Sequence, residues 1–113
     1  IFKKISNVWT QTYKIVPIVV TTNAVFGVSV SLNANGTSIA IGASNNGDSG
    51  STYLFTSVNG IWTQQAILSQ SDGAAGDSFG SAVVLNADGS VLVSSAPNDD
   101  DGGASSGSVY VFG

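Results

Sequence analysis

The stretch FGSAVVLNADGSVLVSSAPNDDDGGASSGSVYVFG, from Phe79 to Gly113, decides how the chain is read. An earlier version, FGVSVSLNANGTSIAIGASNNGDSGSTYLF, runs from Phe26 to Phe55. Phe26 to Phe79 is a step of 53 residues, and Asn33 to Asn86 and Ala43 to Ala96 repeat it. Trp9-Thr10-Gln11 returns at the same step as Trp62-Thr63-Gln64. Between Tyr53 and Tyr110 the step is 57, so the second copy carries four extra residues in the loop that holds Asp99, Asp100 and Asp101. A fixed period of about fifty residues with glycine and aromatic markers is the signature of a repeat architecture.

Working outward, each copy breaks into short strands. Val8 to Ile15 alternates and is rich in β-branched and aromatic residues, which predicts a strand. Ile1-Phe2 matches the strand end Leu54-Phe55, and Lys3 to Asn7 is expected to turn as Thr56 to Gly60 does. Val16 to Ala24 is a connector corresponding to Ser69 to Asp77; it is apolar enough to be covered by a neighbour, and Pro17 favours an edge or a bend. Phe26 to Leu32 is the next expected strand, with Phe26, Val28, Val30 and Leu32 on one face and Ser29 and Ser31 on the other. The tight turn Asn33 to Gly36 ends in an Asn-Gly pair, a strong hairpin signal. Strands are then expected at Ser38–Ala43, Ser51–Thr56 and Ile61–Leu68, and in the second copy at Phe79–Leu85, Val91–Ala96 and Ser108–Phe112.

No window has a helical period. Four short antiparallel strands per unit of about fifty residues is the arithmetic of a propeller blade, so the predicted fold class is all-β, built of antiparallel β-propeller blades. The expected division is 1–24 as a fourth strand with its connector, 25–69 as a first full blade, and 70–113 as a connector with three strands of a second blade. The small residues of Ser38–Ala43 and Leu92–Pro97 suit strands near a crowded axis, and the aromatics, Trp9 and Trp62 among them, suit the wedge between blades.

Composition excludes several function classes. The bases are Lys3, Lys4 and Lys14, the seven acids are all Asp, and the net charge is −4, which leaves no basic patch for nucleic acid. With no Cys, disulfides and thiolate metal sites are excluded. Mean hydropathy is +0.28, yet the most apolar run, Ile15 to Val20, is far too short for membrane insertion. The small-polar, Lys-poor composition points to an extracellular or cell-surface protein. Because the chain opens on Ile1-Phe2 rather than Met, it is expected to be a processed product or an excerpt.

Candidates for chemistry are few. Without His, Cys, Glu or Arg the usual general bases, thiol nucleophiles and oxyanion clamps are missing, so a non-enzyme is expected. Asp99, Asp100 and Asp101, followed by two glycines, form the densest acidic cluster. Three adjacent carboxylates repel one another, and a hard cation such as calcium would relieve that; the competing reading is a solvated acidic loop with no cofactor. Asp72 and Asp77 flank a flexible Gly73–Gly76 loop, where turn capping is the default role. Asn35-Gly36-Thr37 is a formal glycosylation sequon within a hairpin turn.

At Phe26-Gly27 with Gly42-Ala43-Ser44, and at Phe79-Gly80 with Ser95-Ala96-Pro97, the pattern resembles the FG-GAP repeat of integrin-α-type β-propellers. Gly50 to Phe55 and Gly107 to Phe112 are similar to the strand that follows GAP in that family. The resemblance covers the chain as two repeats and implies a ring of six or seven blades engaged in adhesion or ligand binding. It also implies, in some repeats, an Asp-x-Asp-x-Asp-Gly-x-x-Asp calcium loop, and here this chain departs: the equivalent positions read Asn33-Ala34-Asn35-Gly36 and Asn86-Ala87-Asp88-Gly89. Two blades do not close a ring. The strand Val8 to Ile15 matches the one missing after Phe112, a permuted arrangement in which one chain's first strand completes another unit's last blade. The expected partners are therefore other copies or further blades, with a protein or glycan ligand at the loops. The functional expectation is a non-catalytic extracellular binding and adhesion module. A purely structural repeat forming a filament, sheath or matrix is the alternative, and a glycan-binding lectin a further one.

Overall fold

The computed structural model describes residues Ile1–Gly113 as nine strands and no helix. The strands form three antiparallel sheets. The first is a hairpin of β1 (Phe2–Ile5) and β2 (Val8–Gln11). The second has the order β3 (Phe26–Leu32), β4 (Ser38–Ala43), β5 (Ser51–Val58) and β6 (Ile61–Leu68). The third holds β7 (Val83–Leu85), β8 (Leu92–Ala96) and β9 (Ser108–Phe112). The fold class is as expected, all-β with blade-like meanders, and the blades form a stack 52 × 29 × 23 Å rather than a closed ring.

The N-terminus differs from the sequence expectation. Lys3 and Lys4 lie inside β1 and not in a turn; the turn is Ser6-Asn7 alone, with both residues at positive φ (48° and 65°). Asn59-Gly60 turns the same way between β5 and β6, at φ 53° and 79°. The two hairpins share one register: Phe2↔Gln11 and Lys4↔Trp9 in the first become Phe55↔Gln64 and Ser57↔Trp62 in the second. Hence β2 is already paired to β1, and the N-terminus carries the third and fourth strands of a blade rather than a lone strand waiting to complete another. Strand pairing of β2 stops at Gln11; Thr12 reaches back instead, its amide donating to the Ile1 carbonyl at 2.9 Å, while the Ile1 amine donates to the Tyr13 carbonyl at 2.7 Å.

Two apolar seams hold the stack together. In the first, Ile39, Ile41, Ala43, Tyr53, Phe55 and Trp62 on one face of the middle sheet meet Ile1, Tyr13, Ile15 and Phe26. In the second, Ala40, Leu54 and Leu68 from the opposite face meet Val83, Leu85, Leu92 and Phe112. The FG phenylalanines play one role twice. Phe26 sits edge-on to Tyr53 and Phe55 (centroids 5.2 and 6.3 Å), and Phe79 to Tyr110 and Phe112 (5.6 and 6.1 Å). Edge-to-face pairs of this kind contribute about 0.5–1.5 kcal/mol beyond area burial.

The smallness of β4 has a visible cause in the third sheet, which packs closely against it. A Cβ on Gly42 would lie 1.9 Å from the Gly80 carbonyl oxygen, and one on Gly50 would lie 2.2 Å from that of Phe79. The sheets approach this closely because small polar groups stitch them: Ser29 Oγ donates to the Gly80 carbonyl (2.8 Å), Leu85 N donates to Ser31 Oγ (3.0 Å), and Thr52 Oγ1 and Ser94 Oγ, both fully buried, share a 2.8 Å hydrogen bond. Ser29 and Ser31 do occupy the face opposite Phe26, Val30 and Leu32; on that second face Phe26, opposite Ala43, packs against Tyr53 and Phe55, while Val30 and Leu32, opposite Ile41 and Ile39, are exposed because no strand lies in front of them. The apolar connector is likewise uncovered at Val16, Ile18 and Val19.

Candidate functional site

Two loops meet at one end of the third sheet: Ser69–Ser78, which leads from β6 towards β7, and Pro97–Gly107, between β8 and β9. Both are built on a backbone frame that the middle sheet also possesses. Asn98 N donates to the Asp77 carbonyl at 3.2 Å, as Asn45 N does to that of Ala24, 53 residues earlier, at 3.2 Å. Asp99 N donates to the Ala96 carbonyl, and Asn46 N to that of Ala43 (3.2 and 3.0 Å). Gly107 N closes the second loop on the Asp99 carbonyl at 2.8 Å, and Gly50 N closes the first on that of Asn46 at 3.2 Å. The four inserted residues therefore bulge out inside a conserved closure.

The side chains on this shared frame are not alike. Around Tyr53 they are neutral: the hydroxyl donates to the Val19 carbonyl (3.1 Å) and accepts from Asn46 Nδ2 (2.9 Å), and Ala24 is buried alongside. Around Tyr110 the corresponding positions are Asp72, Asp99 and Asp77. The Tyr110 hydroxyl lies 2.9 Å from Asp72 Oδ1 and 3.0 Å from Asp99 Oδ2. One phenolic proton serves two carboxylates. Desolvation first, then these two acceptors, push the Tyr110 hydroxyl far above its ordinary range.

Asp77 and Asp99 are buried despite their charge, and Asp100, exposed, completes a group whose carboxylate oxygens lie within 4.8 Å of one another. Asp77 Oδ2 accepts from Ala74 N (2.7 Å) and from the Gln70 amide nitrogen. Asp99 Oδ1 accepts from Asp101 N at 3.1 Å. Hydrogen bonds, from Ser108 above all, hold Asp99 below the usual carboxylate range. Asp101 turns the other way: its side-chain contact with Asp72, with the nearby Asp99 and Asp100 charges, raises it. Of the expected triplet, then, Asp99 and Asp100 share a locus with Asp77, while Asp101 joins Asp72. Asp77 escaped sequence reasoning because a lone Asp beside glycines reads as a turn cap, which it also is; its burial was the missing signal.

The two FG-to-GAP turns are small and self-satisfied. Asn33 Oδ1 accepts from Thr37 N and Ser38 N, both at 2.9 Å, and Asp88 Oδ1 from Ser90 N (2.9 Å) and Ser90 Oγ (2.5 Å). These bonds to Ser90 lower Asp88. Asn35 is exposed, its Oδ1 accepting from the Thr37 hydroxyl at 2.6 Å.

Compared with known proteins, the chain matches the FG-GAP repeat over residues 9–55 and again over 62–112. No curated protein matches it. FG-GAP repeats build β-propeller-type modules that are often involved in adhesion and generally non-enzymatic. The two matched segments coincide with the two copies related by the 53-residue step, each with its FG phenylalanine edge-on to the aromatics of the strand after GAP, and the chain belongs to the FG-GAP repeat family.

Proposed function

We propose that this chain is a non-catalytic extracellular binding and adhesion module that associates with like blades through its two bare end sheets and presents its loops to a ligand. One observation carries this reading. Trp9 and Phe2 stand in the register of Trp62 and Phe55, which are buried against the preceding layer, yet Trp9 and Phe2 are exposed. The opposite end is bare too: Val84, Val109 and Val111 of the third sheet are exposed where Ser31, Thr52 and Leu54 of the middle sheet face the next blade. One end is thus shaped like the face that the other end would cover. Such head-to-tail complementarity gives rings when the rotation closes and filaments when it does not, and contiguous apolar surface of this extent marks interaction sites. The small-polar, Lys-poor composition supports the extracellular part, and the lack of His, Cys, Glu and Arg supports the non-catalytic part.

The test is the solution mass of the chain by light scattering, beside Trp9→Ser and Val111→Ser variants. A discrete multimer that falls to a folded monomer in either variant is expected; a folded, strictly monomeric parent chain overturns the reading. Bareness at both ends also favours the purely structural alternative, since open head-to-tail addition builds a filament. Electron microscopy separates the two: closed particles support the binding module, and unbranched fibres support the scaffold.

A further inference from the structure

We propose that Asp77, Asp99 and Asp100, with the side-chain carbonyl of Gln70, form a binding site for a hard divalent cation of calcium size at the loop end of the third sheet. It lies away from the FG-to-GAP turns and is independent of the end-face association.

Three observations carry it. First, two of the carboxylates are buried and no cation faces them. The chain's only bases are Lys3, Lys4 and Lys14, on or beside the N-terminal hairpin at the other end of the stack. Buried charges are ordinarily paired or coordinate metals. Second, Gln70 is buried, and its amide nitrogen is docked on Asp77 Oδ2 while its carbonyl oxygen, buried in the same planar group, has no hydrogen-bond donor. Rotating the amide half a turn would bring that oxygen against the Asp77 carboxylate, an arrangement that only a cation between them makes favourable. Third, the fold does not need these charges: on the same backbone frame in the middle sheet, Ala24, Asn46 and Gly47 stand where Asp77, Asp99 and Asp100 stand in the third, and Pro17 where Gln70 stands.

The spacing selects the ion. Calcium bonds oxygen at about 2.3–2.6 Å, so oxygens on opposite sides of it are roughly 4.6–5.2 Å apart. The carboxylate oxygens lie within 4.8 Å of one another, a span that calcium bridges without rearrangement. Asp100 is exposed, which leaves room for water to complete six to eight ligands.

The experiment is titration of the full chain with CaCl2 by calorimetry, and with Tb3+ by luminescence sensitised through Tyr110, whose hydroxyl touches the Asp99 carboxylate. Asp100→Asn removes one charge at an exposed position whose side chain makes no hydrogen bond and leaves its backbone bonds in place, so the protein stays folded; affinity should drop by at least the roughly ten- to hundred-fold that even outer-sphere changes bring. Gln70→Glu exchanges a neutral ligand for an anionic one, and should tighten calcium binding while destabilising the metal-free chain. If Asp100→Asn binds as the parent does, or if Gln70→Glu destabilises the chain without raising affinity, the carboxylates are an acidic surface and the site is overturned. Millimolar binding shared equally by magnesium, and unchanged by either substitution, overturns it as well. Oligomer mass need not follow any of these outcomes, so failure here and failure of the association reading are separable.

Discussion

Trp9 and Trp62 share a residue type, a Trp-Thr-Gln context, a hairpin and a register, yet Trp9 is 68% exposed and Trp62 is 7% exposed. The same holds one strand position over: Val30 and Leu32 are exposed, whereas Val83 and Leu85, 53 residues later, are buried. Nothing local distinguishes the members of these pairs. The later residues have a sheet in front of them, supplied by the chain that precedes them, and the earlier ones do not. Burial in a stack of blades is therefore a property of position in the stack, which is why repeat arrays need their neighbours or caps.

The comparison can be broken at several points. The largest effect is expected where the sheets approach most closely. Gly50→Ala places a methyl group 2.2 Å from the Phe79 carbonyl oxygen at φ +96°, and should abolish docking of the third sheet or lower stability by several kcal/mol, read by urea unfolding. Gly107→Ala, the matching change at the uncovered end, meets the Pro97 carbonyl at 3.1 Å and pays mainly for φ +77°, so it should cost roughly 1–2 kcal/mol.

Next in size, Trp62→Ala should cost about 3–5 kcal/mol, while Trp9→Ala in the monomeric chain should stay within about 0.5 kcal/mol. Equal losses at both positions would mean that the N-terminal hairpin is already covered in solution.

A smaller effect concerns the buried Thr52–Ser94 bond between sheets. Thr52→Val leaves the Ser94 hydroxyl without its partner and should cost about 1–3 kcal/mol, whereas Thr52→Val with Ser94→Ala should recover much of that loss. A double-mutant cycle on unfolding free energies checks it.

The smallest is a dependence on alkaline pH. Tyr53 and Tyr110 are both raised in the folded chain, chiefly by desolvation. The unfolded chain therefore releases these protons first, so their contribution is intact below about pH 10 and declines as pH rises above it. Phenolate absorbance during an alkaline titration should show the ionisation of Tyr53 and Tyr110 coinciding with unfolding.

Much of this was legible in the sequence because local patterns caused it. The strands Phe26–Leu32, Ser38–Ala43, Ile61–Leu68 and Ser108–Phe112 fall where alternation and turn residues put them. Other boundaries moved for physical reasons. The strand expected from Phe79 begins only at Val83, because Phe79 N is turned across the seam to the Ser49 carbonyl, although Gly80 N still reaches the Ser95 carbonyl of β8 in its own sheet. After Gln11 the cross-strand bonds of the hairpin are those of Thr12 and Tyr13 to Ile1, so the pairing ends short of the expected Ile15. At the acidic loop the sequence marked the adjacent Asp99, Asp100 and Asp101, but it had no means of joining Asp77 or Gln70, which lie more than twenty residues away.

The sequence by itself determined the repeat, its period, the strand-and-turn grammar within each copy and the poverty of catalytic groups, because these depend on residue type and short-range spacing. Only the tertiary structure decided which copy of each apolar residue is buried, why Gly42 and Gly50 must be small, and which carboxylates share a locus. Those outcomes depend on contacts between sheets some fifty residues apart, and two copies with nearly the same local sequence resolve them differently because the layer that lies in front of one does not lie in front of the other.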